Sequence, residues 1–242
     1  MIRDTTLLVK TLERPAALRR LLESIQAHDL PWPVLVGDDS QDHAAARDVC
    51  REFPAVRLLE MDHDIGLSAG RNALVDAAET PFVVVLDDDF ILFPTTNLDH
   101  LVAYPRSGVC DIAGGTVYHN GQITHYEGTL RLDPPRLYMA AVKATTPTRV
   151  DITYNFLAAD RLALQQVRWN DELKLCEHQD FFLRAQRAGL KVWYIPDVAI
   201  NHVPTNEGNY GYYRRTRGTE LYETFKRTWG IEAIVGTVAR AA

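Results

Sequence analysis

The chain has 242 residues, 46% of them hydrophobic and 24% charged, an ordinary globular composition with enough length to bury a substantial core. A formal net charge of −6 argues against a protein that coats nucleic acid, while leaving room for a local basic pocket around a small anion. Three scattered cysteines (Cys50, Cys110 and Cys176) form no CxxC pair, which argues against a zinc site or a disulfide framework and fits a reducing compartment. No run approaches the ~18 apolar residues of a membrane span, and Met1 to Lys10 lacks the apolar stretch of a signal peptide. The expected location is therefore cytoplasmic, with any membrane contact peripheral.

In chain order, Thr5 to Val9 reads as a strand. Pro15 then opens a helix whose Leu18, Leu21, Leu22 and Ile25 share one face. Pro33 to Val36 is a second strand and stops at Gly37-Asp38-Asp39-Ser40. A helix through Ala44, Ala45 and Val49 leads to a third strand, Val56 to Leu59. Ser68 is expected to cap a helix running through Ala69, Ala73 and Ala77, and Phe82 to Leu86 is the most hydrophobic strand.

Beyond residue 110 the pattern mixes. Asp111 to Val117 is a strand, and a turn at His119-Asn120-Gly121 is expected to return the chain as a strand over Gln122 to Arg131. Residues 132–150 read as a loop, and Tyr154 to Ala158 is apolar. Phe181 to Ala188 is a helix ended by Gly189. Two short strands, Lys191 to Ile195 and Val198 to Ile200, flank Pro196. A polar loop from Pro204 to Gly211 precedes a basic, aromatic helix.

Apolar strands between amphipathic helices predict an α/β fold with a mostly parallel sheet covered on both faces. Such sheets bind ligands at the carboxyl ends of their strands. Lys10-Thr11, Asp38-Asp39 and Asp87-Asp88-Asp89 all fall there, so three polar clusters converge on one edge. Three adjacent aspartates after a buried strand repel one another, and a divalent cation relieves that repulsion. Carboxylate oxygens suit Mg²⁺ or Mn²⁺, which commonly bridge protein carboxylates to substrate phosphates. The competing reading of the triplet is a solvated turn.

Lys10-Thr11 with Arg14, Gly37-Asp38-Asp39-Ser40, Gly66-Leu67-Ser68-Ala69-Gly70-Arg71-Asn72 and Leu86-Asp87-Asp88-Asp89 occur in an order that resembles the nucleotide-binding half of family 2 GT-A glycosyltransferases. Asn155-Phe156-Leu157-Ala158, Trp169-Asn170-Asp171-Glu172-Leu173, His178-Gln179-Asp180-Phe181-Phe182-Leu183 and Asp197-Val198-Ala199-Ile200-Asn201-His202 resemble the family 12 β-1,4-N-acetylgalactosaminyltransferases. The resemblance implies a GT-A, Rossmann-like single domain. Its nucleotide-sugar half covers about residues 1–109, its acceptor half about 110–205, and a C-terminal loop and helix 206–242. It also implies an inverting transfer from a UDP-sugar, first UDP-N-acetylgalactosamine or another UDP-hexose or hexosamine, to a glycan or glycolipid acceptor; the compact length and the lack of an apolar anchor point instead to bacterial surface-polysaccharide synthesis, unlike the anchored enzymes of that family.

By the same resemblance, Thr11, Arg14, Asp39 and Arg71 line the nucleotide site, with Asp39 accepting from the uracil N–H. Asp87 faces the ribose or a metal-bound water, and Asp88 points toward the sugar or sits behind the metal. Asp89 and His202, with Asp87, take Mn²⁺ or Mg²⁺. The family 2 pattern places a Glu-Asp pair before a helix, its Asp being the base. Here Glu177 is followed by His178, so Glu177, His178 and Asp180 are the base candidates, with Asp180 the first choice. From the residues themselves, Tyr210, Tyr212, Tyr213, Arg214, Arg215 and Arg217 read as a segment that closes over a diphosphate, touches an anionic membrane, or forms a solvated basic helix. His119 and His125 receive no role beyond the surface or the acceptor side.

Two other readings survive. A sugar nucleotidyltransferase would carry a glycine-rich phosphate loop where Thr11-Leu12-Glu13-Arg14-Pro15 stands. A decayed glycan- or nucleotide-binding protein is kept in view by the histidine at the base position.

Overall fold

The seven residues of β1 (Thr5–Thr11) are buried without exception, as a strand inside a sheet covered on both faces must be. The computed structural model to which this strand belongs describes residues 3–174, 177–205 and 210–236, with the side chains of 210–215 and 217 outside that description. Helix α1 (Pro15–Gln26) starts on its proline, whose missing N–H would have had no helical partner anyway. Then follow β2 (Val34–Asp38), α2 (Ala44–Arg51), β3 (Val56–Glu60), α3 (Leu67–Ala77) and β4 (Phe82–Asp87). Strands β3, β2, β1 and β4 lie side by side and all run parallel.

Strands β1, β2 and β4 each serve two cores by alternation. Leu7, Val9, Val34, Val36, Val84 and Leu86 pack into one cluster with α1 and α2. Leu8, Leu35, Val83 and Val85 pack into the other with α3. Burying one such side chain contributes about 1.5–3 kcal/mol, so a one-residue slip that reversed the faces would be costly.

The second half completes a mixed sheet. In chain order its elements are β5 (Phe90–Leu92), α4 (Leu98–Arg106), β6 (Ile112–His119), β7 (Gln122–Ile123), β8 (Gly128–Asp133), β9 (Arg136–Ala141), β10 (Thr148–Val150), β11 (Leu157–Asp160), α5 (Arg161–Val167), α6 (Glu177–Arg187), β12 (Val192–His202), α7 (Tyr210–Trp229) and β13 (Ala233–Gly236). The main sheet has the order β10-β12-β6-β11-β4-β1-β2-β3, with β5 on β12 and β7 on β6. The architecture is the expected mixed α/β, Rossmann-like one, with helices on both faces.

Several elements depart from the sequence reading. The hairpin after His119 keeps only Gln122 and Ile123, and Gly128 onward enters a separate three-stranded sheet, β13-β9-β8. Residues 132–150 are therefore not a loop: they contain β9 and β10, whose Leu137, Met139 and Val150 feed the core. Pro196 does not divide two strands; β12 runs through it as a bulge between Ile195 and Ala199, where a strand tolerates proline. Ser68 lies inside α3 and donates to the Leu173 carbonyl at 2.5 Å, while Gly66, at φ +90°, takes the cap position. Helix α6 begins at Glu177, four residues before the expected start, and α7 begins at Tyr210. Residues 206–209 of the tail loop, and the tail side chains Tyr210, Tyr212, Tyr213, Arg214, Arg215 and Arg217, lie outside the described residues. Among those described, no helix is long and apolar enough to cross a membrane.

Candidate active site

The parallel register sets the site's first wall. Lys10 pairs with Asp87 across β1 and β4, and Thr11 pairs with Asp38 across β1 and β2, so the strand ends meet on one edge. Asp39, one residue beyond β2, is fully buried. It accepts from the Lys10 ammonium at Oδ1 and from the Gly66 backbone N–H at Oδ2, 3.0 Å away. Burial acts to lower the Lys10 pKa, and Asp39 opposes it without cancelling it. Gly66 is required twice over: its φ favours glycine, and a Cβ there would stand 2.5 Å from Lys174 Cγ. Asp39 is thus locked in place, with lone pairs left on both oxygens.

The acidic triplet is held apart by different partners. Asp87 accepts from Arg71 Nη2 at 2.8 Å and is partly exposed. Asp88 is fully buried beneath Arg14, which reaches it through Nε at 3.2 Å and through Nη2, while the Thr11 hydroxyl donates to it at 2.6 Å. Asp89 accepts from Arg14 Nη1 at 2.9 Å and lies 3.4 Å from His202 Nε2. Strand β5 explains this last contact, because it pairs antiparallel with the end of β12 and sets Phe90 opposite His202.

Titration follows from these surroundings. Burial, with repulsion from Asp89 and Asp87, pushes Asp88 up to about 7 against the pull of Arg14 and Thr11. Burial also acts to raise Asp89, but His202 and Arg14 outweigh it and hold the carboxyl below its ordinary value. His202 is raised: burial works against its charge, and Asp89 overcomes that. A carboxyl raised in the folded state binds its proton more tightly there than in the unfolded chain. Its stabilisation is full below the ordinary 3.8 and is lost as the pH climbs through about 7. His202 acts in the same direction, losing its contribution as the pH rises through its raised value. In EDTA the melting temperature of wild type relative to Asp88→Asn should fall between pH 5 and 8. A difference that rises across this range would contradict the assignment of Asp88.

A second wall is built around Arg71, which is buried. Its Nη1 donates to Glu177 at 2.6 Å, its Nη2 donates to Asp87, and its guanidinium lies 5.9 Å from the Trp169 ring centre. Burial opposes ionisation of Glu177, but His178 and Arg71 outweigh it and hold the carboxyl well below the usual range. His178 Nδ1 is 3.3 Å from Glu177 Oε1. Asn155, with its amide oxygen facing Arg71, donates from its nitrogen to His178 Nε2 at 2.9 Å. Tyr126 and Tyr154 flank the same imidazole, with ring centres 5.2 and 6.5 Å away.

Asp180 stands elsewhere. It is fully buried, with Arg184 Nε donating to one oxygen at 2.7 Å and the Trp229 indole N–H to the other at 2.8 Å. It ties α6 to α7. The remaining expected residues (Thr11, Arg14, Asp39, Arg71, Asp87, Asp88, Asp89, Glu177, His178 and His202) belong to the strand-end edge or to the wall beside it. Sequence reasoning missed Asn155, although it quoted the motif around it, and missed His119, whose Nδ1 lies 3.2 Å from His202 Nδ1. Both depend on long-range pairing that no local pattern reports.

Next to His119 a cavity of about 800 Å³ opens, lined also by Gln122, Thr124, His125 and Lys143. That is the size of a small-ligand site. Among the described residues no group of three or more His, Cys, Asp or Glu side chains converges as a metal cage. One carboxylate, Asp89, and one imidazole, His202, share a face and are the residues that would hold a divalent cation, which would offset charge on a ligand's phosphates. Borderline metals such as Mn²⁺ suit that mixed pair.

The sequence model of the family described as Glycosyl transferase family 2 matches residues 6–167. The chain is 27% identical over 234 residues to β-1,4 N-acetylgalactosaminyltransferase 1 of Rattus norvegicus, covering 91% of this chain and 42% of that protein. It is 29% identical over 203 residues to β-1,4 N-acetylgalactosaminyltransferase 2 of Mus musculus, covering 81% and 39%. It therefore spans about two fifths of the length of these curated relatives. Among solved structures, S. aureus TarS superposes with a TM-score of 0.62 at 20% identity, over 92% of this chain and 41% of that one. TarS 1-349 in complex with UDP-GlcNAc gives 0.62 at 18% identity, over 85% and 59%. The likeness to TarS is one of fold, the GT-A fold.

Proposed function

Because the chain belongs to glycosyl transferase family 2, we propose that it transfers a sugar from a UDP-sugar to a glycan or glycolipid acceptor with the help of Mn²⁺ or Mg²⁺. The observation that carries this reading is the meeting of Asp89 with His202 on the same edge as Asp39, Arg14 and Asp87. Asp39 would accept the base N–H, and Arg14, which bonds both Asp88 and Asp89, would meet a diphosphate bound beside them. Asp89 and His202 would hold the cation, which when bound offsets negative charge on the departing diphosphate. The named relatives make N-acetylgalactosamine the first sugar to test, and the UDP-GlcNAc complex of TarS supports a UDP-linked donor. The cavity beside His119 is our choice for the acceptor, and a bacterial surface glycan the first class to offer it.

For the base we favour His178, oriented by Glu177. The carboxylate beside Nδ1 and the amide N–H at Nε2 make Nε2 the accepting nitrogen. In the proposed step the acceptor hydroxyl displaces the Asn155 amide from His178 Nε2 and gives its proton to that nitrogen as its oxygen attacks the anomeric carbon. The sugar–phosphate bond breaks and UDP leaves. General-base loss costs about 10²- to 10⁴-fold, so His178→Ala should lower kcat by that range. Asp180→Asn should instead leave kcat near wild type and lower stability by about 1–3 kcal/mol, through the tie to Trp229. A collapse of kcat in Asp180→Asn without loss of stability would return the base role to Asp180.

A nucleotide-sugar-binding protein without turnover is the rival, because His178 stands where the family pattern has an acid. A thermal-shift screen of nucleotide sugars with MnCl₂, followed by assay of UDP release, separates the two. Stabilisation by UDP-sugars with turnover supports the transferase; stabilisation without turnover of any of them supports the rival.

A further inference from the structure

We propose that His119 is a positioning residue that fixes the tautomer and ring orientation of His202, leaving His202 Nε2 free to bind the cation. This rests on the reading of His202 and Asp89 as the cation's ligands. In parallel register His119 ends β6 directly beside His202 at the end of β12, so the two imidazoles share one face of the sheet. Their Nδ1 atoms are 3.2 Å apart, and their ring centres 5.1 Å. Two Nδ1 atoms at that distance accommodate one proton between them, so one ring donates and the other accepts.

The surroundings decide which ring does so. His202 Nε2 points at Asp89, on the side where the cation would sit. An imidazole that ligates through Nε2 carries its hydrogen on Nδ1, and that hydrogen faces His119 Nδ1. His119 is therefore the acceptor and keeps its own hydrogen on Nε2, on a ring that lines the cavity. Phe90 closes a third side of His202, edge to face with ring centres 5.7 Å apart, so the imidazole is held by Asp89, His119 and Phe90 together. Hydrogen-bond partners behind a ligating histidine commonly set metal affinity by 10- to 100-fold.

The test is the Mn²⁺ dissociation constant in the presence of UDP, read from the electron paramagnetic resonance signal of free Mn²⁺. His119→Ala should weaken Mn²⁺ by about 10- to 100-fold while UDP affinity in EDTA stays at wild type. His119→Asn places an amide oxygen near the lost Nδ1 and should recover most of the affinity, which a merely structural role would not predict. Unchanged Mn²⁺ affinity in His119→Ala, with a loss in His202→Ala, overturns the role of His119 alone. So does a His119→Asn variant as weak as His119→Ala. Unchanged affinity in His202→Ala as well overturns the cation reading beneath it.

Discussion

Asp89→Asn should lower turnover by about three orders of magnitude without unfolding the chain. The charge is the reason. An amide keeps the shape of the carboxylate and one accepting oxygen for Arg14 Nη1, so the contact at 2.9 Å survives in neutral form. In the proposed site the cation would lose the carboxylate that faces His202. A bound cation supplies several kcal/mol of charge stabilisation at a leaving diphosphate, and each 1.36 kcal/mol is about tenfold in rate. The structural effect is smaller. Removing one of three adjacent negative charges relieves Asp88, but it also takes from Arg14 and His202 the carboxylate that they hold ionised. Melting temperature should therefore fall only modestly while kcat collapses. Steady-state assay and thermal melts on the same sample check both halves, and wild-type kcat in Asp89→Asn would remove Asp89 from the cation site.

Arg71→Met should be the most destabilising single change at the site. The guanidinium is the shared cation of two acids on different elements, Asp87 at the end of β4 and Glu177 at the start of α6. Asp87 has water to turn to; Glu177 is 4% exposed and does not. Breaking a buried pair from one side costs about 3–5 kcal/mol, and here Glu177 would keep only His178 beside it. For a chain of this size that lowers the melting temperature by on the order of 10 °C. Glu177 also gives the loss a pH signature. A carboxyl held below its ordinary 4.5 contributes stability above that value and loses it as acid protonates the group. The gap between wild type and Arg71→Met should therefore narrow below pH 4.5. A pH-independent gap would assign the loss to packing against Trp169 instead.

Much of the nucleotide half was legible because its signals are local. A two-residue alternation cannot satisfy both cores unless β1, β2 and β4 are central strands, and their polar ends then fall together. The acceptor half was harder. Pro196 reads as a break, yet a bulge absorbs it, and only the neighbouring β6 makes that bulge affordable. Residues 132–150 look like a loop by their prolines and threonines, yet Leu137 and Met139 alternate into a core that comes from elsewhere in the chain.

The site divided along the same line. Asp87, Asp88 and Asp89 were visible as a group, but their separation was not: Arg71, Arg14 and His202 each arrive from a different element. Asp180 lies three residues past Glu177 and so reads as its partner on one helical face. The indole of Trp229, 49 residues away, claims it instead.

The proposed function requires this edge of the sheet to handle a UDP-sugar with a divalent cation. The most direct measurement is UDP release from UDP-N-acetylgalactosamine and UDP-N-acetylglucosamine by wild-type protein, in MnCl₂ and in EDTA, with glycan acceptors present. The account predicts release that requires Mn²⁺, rises with acceptor and is lost in Asp89→Asn. Release that is equal in EDTA, or that Asp89→Asn leaves unchanged, would contradict it.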